Sequence, residues 1–299
     1  MTAKEKCTLC PRNCSVDRNQ NAGYCGELST VRVTRAAPHF WEEPCISGSL
    51  GSGTVFFSGC NLRCVFCQNK SISMSKYGKE ADVDSLAQLF IDLSKTGVHN
   101  INLVTPSHFT TQIAKAIEKA KLLGLSLPFV WNSSGYEKTD ALKSLDGLID
   151  VYLPDFKYKS PYLAKRYSNA EDYFDVTTEA VDEMLKQVGE AVFRDGLMKK
   201  GIIVRHLVLP GCTEDSKAVL RHLAKRYGDR IYISIMNQYT PIDQGLPDSL
   251  SRKTTEEEYL SVLDYASMLG ISKGFIQEGG TANESFIPAF DYTGLENLT

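Results

Sequence analysis

The chain has 299 residues, of which 42% are hydrophobic, 10% aromatic and 23% charged, enough apolar content for a core that needs no disulfide support. Lys+Arg 33 against Asp+Glu 36 leaves a net charge of -3, and neither sign forms a long block, which argues against nucleic acid or an anionic membrane bound through bulk charge. No apolar stretch reaches the roughly 18 residues of a membrane span, and the start MTAKEKCTLC has no apolar run of the signal-peptide kind, so a cytoplasmic protein is expected.

Residues 1–50 are rich in Cys, Arg, Asn, Pro and Gly without a strong period. They are too few to hold a core alone and read as a small Cys-rich extension stapled by metal, with 51–299 as the main domain. Runs of β-branched and aromatic residues then predict strands at Thr54 to Ser58, Ile101 to Thr105, Pro128 to Asn132, Asp150 to Asp155, Ile202 to Leu209, Arg230 to Met236 and Gly274 to Ile276. Helical spacing predicts helices between them, over Ser85 to Lys95, Thr110 to Leu123, around Val181 to Val192 and around Tyr259 to Ala266. Thr255 with Glu258 reads as a capping box, and Gly270 as a left-handed C-terminal cap. Alternation of this kind gives parallel strands with crossover helices, so the expected fold is α/β, a partial (β/α)6-type barrel.

Nine cysteines are present, eight of them before residue 68. The odd total, the short spacings and a reducing compartment point to metal rather than disulfides. Directly after the first predicted barrel strand, Gly59-Cys60-Asn61-Leu62-Arg63-Cys64-Val65-Phe66-Cys67-Gln68-Asn69 places three cysteines at C-x3-C-x2-C spacing. Three thiolates on one loop can hold three irons of a four-iron, four-sulfur cluster and leave the fourth iron open to a chelating cofactor. The alternative, a structural zinc, would need a fourth ligand. Cys7, Cys10, Cys14 and Cys25 form a second set at C-x2-C-x3-C-x10-C spacing, which suits tetrahedral zinc or a second iron-sulfur cluster. Cys45 and Cys212 stand apart, Cys45 as either a hydrogen-atom donor or a buried thiol.

The C-x3-C-x2-C loop, with an aromatic residue before its third cysteine, resembles the radical S-adenosylmethionine superfamily. That resemblance implies a [4Fe-4S] cluster on Cys60, Cys64 and Cys67 and S-adenosylmethionine bound beside it, with Phe66 and Asn69 of the loop near the cofactor. It extends along the predicted strand ends. Val104-Thr105-Pro106-Ser107 corresponds to the methionine-amino contact, through Thr105 and Ser107, and Asn132-Ser133-Ser134-Gly135 resembles the Asp-Thr-Asn-Gly stretch of pyruvate formate-lyase activases. Asp155-Phe156-Lys157 resembles their Asp-Leu-Lys, which implies a charge-assisted contact of Lys157 with the methionine carboxylate. Arg205, in Ile203-Val204-Arg205-His206, matches their arginine strand.

Cys-x-Leu-Cys-Pro-Arg, followed by Glu42-Glu43-Pro44-Cys45-Ile46-Ser47-Gly48 and Gly51-Ser52-Gly53-Thr54, resembles the PflX-like branch of that superfamily and is also similar to queuine lyase. The chain departs from glycyl-radical activases in two places. Ile235-Met236-Asn237-Gln238-Tyr239 stands where they carry Leu-Pro-Tyr-His, and no cysteine lies between Cys67 and Cys212, where many of them insert eight. The expected function is therefore radical cleavage of a small molecule, a lyase acting on queuine, with a glycyl-radical activase or a metal-binding redox module as the alternatives. The amidine edge of a modified nucleobase calls for carboxylate acceptors, which singles out Glu42, Glu43, Asp155 and Glu278, with His39 and Tyr239 as further polar candidates. Glu43, Asp155 and Cys45 are the catalytic candidates. Flavodoxin or ferredoxin is the expected electron donor, with no membrane or nucleic-acid partner.

Overall fold

The computed structural model describes residues 6–74, 76–241, 245–277 and 287–298. Ten strands form one sheet: β1 (Val31–His39), β2 (Ser52–Phe57), β3 (Lys79–Ala81), β4 (Ile101–Val104), β5 (Phe129–Ser133), β6 (Val151–Pro154), β7 (Val192–Arg194), β8 (Leu197–Leu207), β9 (Tyr232–Met236) and β10 (Gly274–Ile276). Their order is β10-β9-β8-β6-β5-β4-β2-β1-β3, with β7 hairpinned onto β8. From β2 to β10 every neighbouring pair along this path is parallel, whereas β1 pairs antiparallel with both β2 and β3. The two ends of the order do not pair among the described residues, so the barrel is partial, as the alternation predicts.

Each parallel step is crossed by a helix, including Val83–Ser94, Thr110–Leu122, Tyr173–Val188, Thr213–Tyr227 and Glu256–Met268. The last begins with the expected capping box of Thr255 and Glu258. It ends at Gly270, whose φ of +73° lets the Ile271 N–H reach back to the Ala266 carbonyl.

Period-two alternation sorts the strand residues. Leu103, Trp131, Tyr152, Val204 and Ile233 face the helices in the main core. Val130, Val151, Leu153 and Ile203 face the other way and pack on Cys45 and Ile46. Those two belong to a single-turn helix, Pro44–Ser47, which is held at the start of β4 by the Asn100 side-chain amide on the Ile46 carbonyl, 2.8 Å. The helix thus plugs the N-terminal end of the barrel.

Several elements depart from the sequence reading: the helix expected to run through Val192 ends at Val188 and Val192 opens β7 instead, while β3 and the helix Pro161–Ser168 are additional. The segment read as lacking a period contains the nine-residue strand β1. Its residues are buried from both sides in the pattern Val31, Val33, Thr34, Ala36, Ala37 rather than strictly alternating, because a register shift between Val33 and Arg35 interrupts the pleat.

Candidate active site at the mouth of the partial barrel

The cysteine loop leaves β2 through Ser58 and Gly59. Gly59 has φ +80°, and a Cβ there would lie 2.7 Å from the Cys25 carbonyl oxygen, so only glycine lets the N-terminal segment approach this closely. The next residue, Cys60, donates its N–H to that same carbonyl at 3.1 Å. Leu62 N–H points at the Cys60 sulfur, 3.4 Å, and Arg63 adopts a left-handed φ of +56° that turns the chain toward Cys64. Burial pushes the Cys64 thiol up to about 12 and raises that of Cys67, and the neighbouring thiolates add to the rise. The three thiols act on one another electrostatically, so they can ionise together only with compensating positive charge, which an iron-sulfur cluster supplies. The donor set fits that group.

Positive charge also arrives from the barrel. Lys157 follows the end of β6, is only 15% exposed at its side chain, and acts electrostatically on Cys64 and Cys67. Its ammonium bonds Asp155 at 2.6 Å. Burial disfavours the charge on Lys157, but Asp155 and Cys64 hold its ammonium above the ordinary lysine range. Burial likewise disfavours the Asp155 carboxylate, which Lys157 and Arg205 nevertheless keep below its usual value.

Arg205, two residues before the end of β8, gathers the rest. It donates to Asp155 Oδ1 at 3.2 Å, to Glu42 Oε2 at 2.9 Å and to Asn132 Oδ1 at 2.6 Å. The other oxygen of Glu42 accepts from Asn102 at 2.9 Å and Asn132 at 3.1 Å. Five positions from five regions of the sequence therefore form one buried polar layer.

Glu43 Oε2, Asn102 Oδ1 and Ser134 Oγ, on residues of this layer or next to them, have no partner among the described residues. Buried polar groups are normally satisfied, so the open oxygens of Glu43 and Asn102 beside the layer leave room for a polar ligand to complete the bonding. Burial raises the Glu43 carboxyl, with Arg205 opposing and Glu42 adding to the rise. Ser133 donates instead to Glu137, a buried carboxyl that also accepts from the Trp131 indole at 2.8 Å. Burial raises Glu137 as well.

The remaining residues named from sequence are placed as follows. Phe66 is buried edge-on against Tyr158, Tyr167 and Tyr239 behind the cysteine loop. Tyr239 spends its hydroxyl on the Leu250 carbonyl, 2.6 Å. Asn69 begins the short helix that closes the loop, and Thr105 follows β4 half-buried. His39 ends β1 and packs edge-on against Phe56, where burial lowers it to about 4. Cys45 lies in the apolar plug, its thiol pushed up to about 12 by burial. Glu278 lies outside the described residues. Asn102, Glu137, Ser168 and Tyr158 were not singled out from the sequence. Only Asn102 carries a signal there, as a polar residue interrupting the apolar run Ile101 to Val104.

The N-terminal cysteines come together ahead of β1. A Cβ on Gly23 would meet both Cys14 Sγ, at 3.3 Å, and Cys25 Sγ, at 3.4 Å. Burial pushes Cys10 up to about 11, with Cys25, Cys7 and Cys14 contributing. Among the described residues neither cysteine set is drawn into a closed metal-holding arrangement; the fold supplies proximity.

Comparison with known proteins agrees with this architecture. The uncharacterized protein MJ0674 of Methanocaldococcus jannaschii is 29% identical over 276 residues, covering 88% of this chain and 74% of its own. Among solved structures, methylornithine synthase (PylB) superposes with a TM-score of 0.51 at 14% identity, over 78% of this chain and 74% of that one. SuiB of Streptococcus suis bound to S-adenosylmethionine superposes with a TM-score of 0.50 at 12% identity, over 74% of this chain but only 48% of that one. These likenesses concern the fold. The model of the Radical SAM superfamily matches residues 54–223, from β2 through the cysteine loop and the Arg205 strand, which is more than half of the chain. With the cysteine loop and the Asn102, Asn132, Asp155 and Arg205 members of the polar layer inside the matched region, the chain belongs to the Radical SAM superfamily, a membership that implies a [4Fe-4S] cluster and S-adenosylmethionine.

Proposed function

We propose that this protein reductively cleaves S-adenosylmethionine and acts as a lyase on a small planar base, with queuine, a modified deazaguanine, as the substrate. Glu43 carries the substrate reading. Glu42 and Asp155 are already engaged by Arg205, Lys157 and two amides, whereas Glu43 keeps a buried oxygen without a partner. A base with an amidine-type edge offers the N–H donors that such an oxygen lacks.

Cys60, Cys64 and Cys67 would hold the cluster, which with S-adenosylmethionine supplies one-electron cleavage to a 5'-deoxyadenosyl radical. The chain's own part is to bind and orient. Lys157 presents a fixed positive charge for the methionine carboxylate. Thr105, Ser107, Asn132 and Ser133 offer small polar groups at the ends of β4 and β5, and Phe66 and Asn69 keep the loop in place. Arg205 orients Asp155, Glu42 and Asn132 together, so one guanidinium sets the shape of the layer. Glu43, whose carboxyl burial raises against the opposing charge of Arg205, keeps one oxygen open to a hydrogen bond. The apolar surroundings of Cys45 favour packing over hydrogen-atom donation. The four N-terminal cysteines would hold a structural zinc, with a second cluster as the alternative, and a cytoplasmic flavodoxin or ferredoxin would deliver the electron.

The test is anaerobic incubation of reconstituted protein with reductant, S-adenosylmethionine and queuine, read by mass spectrometry. The expected products are 5'-deoxyadenosine and an aminomethyl-deazaguanine. Failure with queuine, together with a glycyl-radical signal on a partner protein, would establish an activase instead.

A further inference from the structure

Behind the cysteine loop, Ser168 ends the helix Pro161–Ser168. Its hydroxyl donates to the Cys64 sulfur at 3.0 Å, across 104 residues of sequence. The same Oγ lies 2.8 Å from the Tyr158 hydroxyl. A serine has one hydroxyl proton, and with that proton on the sulfur the tyrosine must be the donor in the second bond. The chain Tyr158 O–H to Ser168 O–H to Cys64 Sγ therefore runs in one direction. Both hydroxyl residues are sealed from solvent, at 1% and 2% exposure, so water does not replace either bond.

The position of Ser168 is secured independently. The Val65 N–H of the cysteine loop donates to the Tyr167 carbonyl at 2.8 Å, and Arg12 donates to the Ser168 carbonyl at 2.8 Å. By contrast, the Cys60 sulfur is approached by the backbone N–H of Leu62, at 3.4 Å.

We propose that Tyr158 and Ser168 are positioning residues that set the reduction potential of the cluster held at Cys64. The inference rests on the cluster assignment above. Adding an electron makes the cluster and its thiolates more negative, and a hydrogen bond donated to a ligand sulfur favours that more negative state, so it raises the potential. Tyr158 strengthens the donor by polarising the Ser168 hydroxyl. Because Tyr158 directly follows Lys157, the turn that aims the ammonium at the loop also aims this relay.

The experiment is an anaerobic potentiometric titration of the reconstituted protein with dithionite, following the reduced cluster by electron paramagnetic resonance and counting iron. Ser168→Ala should retain the iron of the parent protein and lower the reduced-to-oxidised ratio about tenfold at a fixed potential, a shift of about 59 mV for one electron. Tyr158→Phe should move the potential the same way by less, and Ser168→Thr should restore it. If Ser168→Ala lost iron, Tyr158→Phe, which removes only the hydroxyl, would decide. An unchanged potential in an iron-replete Ser168→Ala protein, or in Tyr158→Phe where Ser168→Ala loses iron, overturns the proposal. Absence of iron from the parent protein would instead overturn the cluster assignment.

Discussion

Arg12 donates from Nε to the carbonyl of Asn61 at 2.8 Å, joining the N-terminal cysteine segment to the loop of Cys60, Cys64 and Cys67 across 49 residues. The same guanidinium reaches the carbonyls of Leu62 and Ser168 and lies over the rings of Tyr24 and Tyr136. Arg12 sits between Cys10 and Cys14, so whatever closes those cysteines also fixes the arginine.

Loss of that clamp should loosen the loop. Arg12→Ala removes charged hydrogen bonds worth about 1.5–3 kcal/mol each, and Arg12→Lys cannot reproduce the planar fork. Both variants are expected to reconstitute with less iron than the parent protein, and Cys10→Ser is expected to lower solubility. Iron and zinc analysis of the purified proteins checks this. Full iron content in Arg12→Ala would show that the loop forms without the clamp.

Replacing the cluster cysteines tests the loop itself. Cys64→Ala should leave the protein without a stable four-iron cluster and without reductive cleavage of S-adenosylmethionine, because too few thiolates remain to hold the group. Absorbance and 5'-deoxyadenosine formation measure both. Continued cleavage would refute the assignment of Cys64 as a ligand.

Lys157→Ala should raise the S-adenosylmethionine concentration required for turnover about tenfold or more, since loss of a charge-assisted bond costs about 1.5–3 kcal/mol. Titration calorimetry under anaerobic conditions separates this from a fall in turnover alone. Unchanged affinity would remove Lys157 from the cofactor site.

Arg205→Met leaves Glu42 and Asp155 buried without their shared cation, and should cost about 3–5 kcal/mol of stability. Urea unfolding measures it. Coupled replacement of Glu42 by Gln in the same chain should recover part of the loss, because one of the stranded charges is gone. Equal stability of Arg205→Met and the parent protein would show that the layer relaxes freely.

The pH dependence of stability has a definite sign. Burial lowers His206 to about 4 and His108 to about 3, so both remain neutral in the folded chain while the unfolded chain takes up protons below about 6.5. The unfolded state then binds more protons, and stability falls as pH drops from about 6.5 toward 4. His206 contributes about 3 kcal/mol of this loss. His206→Gln should flatten that part of the curve, measured by urea unfolding at a series of pH values. Glu43 acts in the opposite sense: its raised carboxyl favours the folded state at low pH and loses that contribution as pH rises. Glu43→Gln should therefore gain stability relative to the parent protein as pH rises toward neutrality.

Much of this protein is local information. The helix-strand alternation, the capping box at Thr255 and the C-x3-C-x2-C loop are patterns within a few residues of each other, and the partial barrel and the cysteine loop follow from them. The strand β1 was not legible, because its burial does not alternate and it is completed only by antiparallel partners at β2 and β3. Nor was the plug of Cys45 and Ile46, whose apolar surface is covered by β5, β6 and β8.

The same division runs through the site. Asp155, Lys157, Arg205 and Asn132 are recognisable at strand ends, but their distribution of charge is not. Only the closed geometry shows that Arg205 engages Glu42 and Asp155, leaving Glu43 with an unpartnered oxygen. Ser168 and Tyr158 carry no motif at all, and they matter because the helix Pro161–Ser168 returns to the loop. The sequence alone therefore determined the kind of fold and the chemistry at the cysteine loop, since backbone periodicity and ligand spacing act over short distances along the chain. The tertiary structure alone decided which charges are paired and which polar atoms stay free, because hydrogen bonds and ion pairs in a buried layer depend on contacts between residues far apart in sequence.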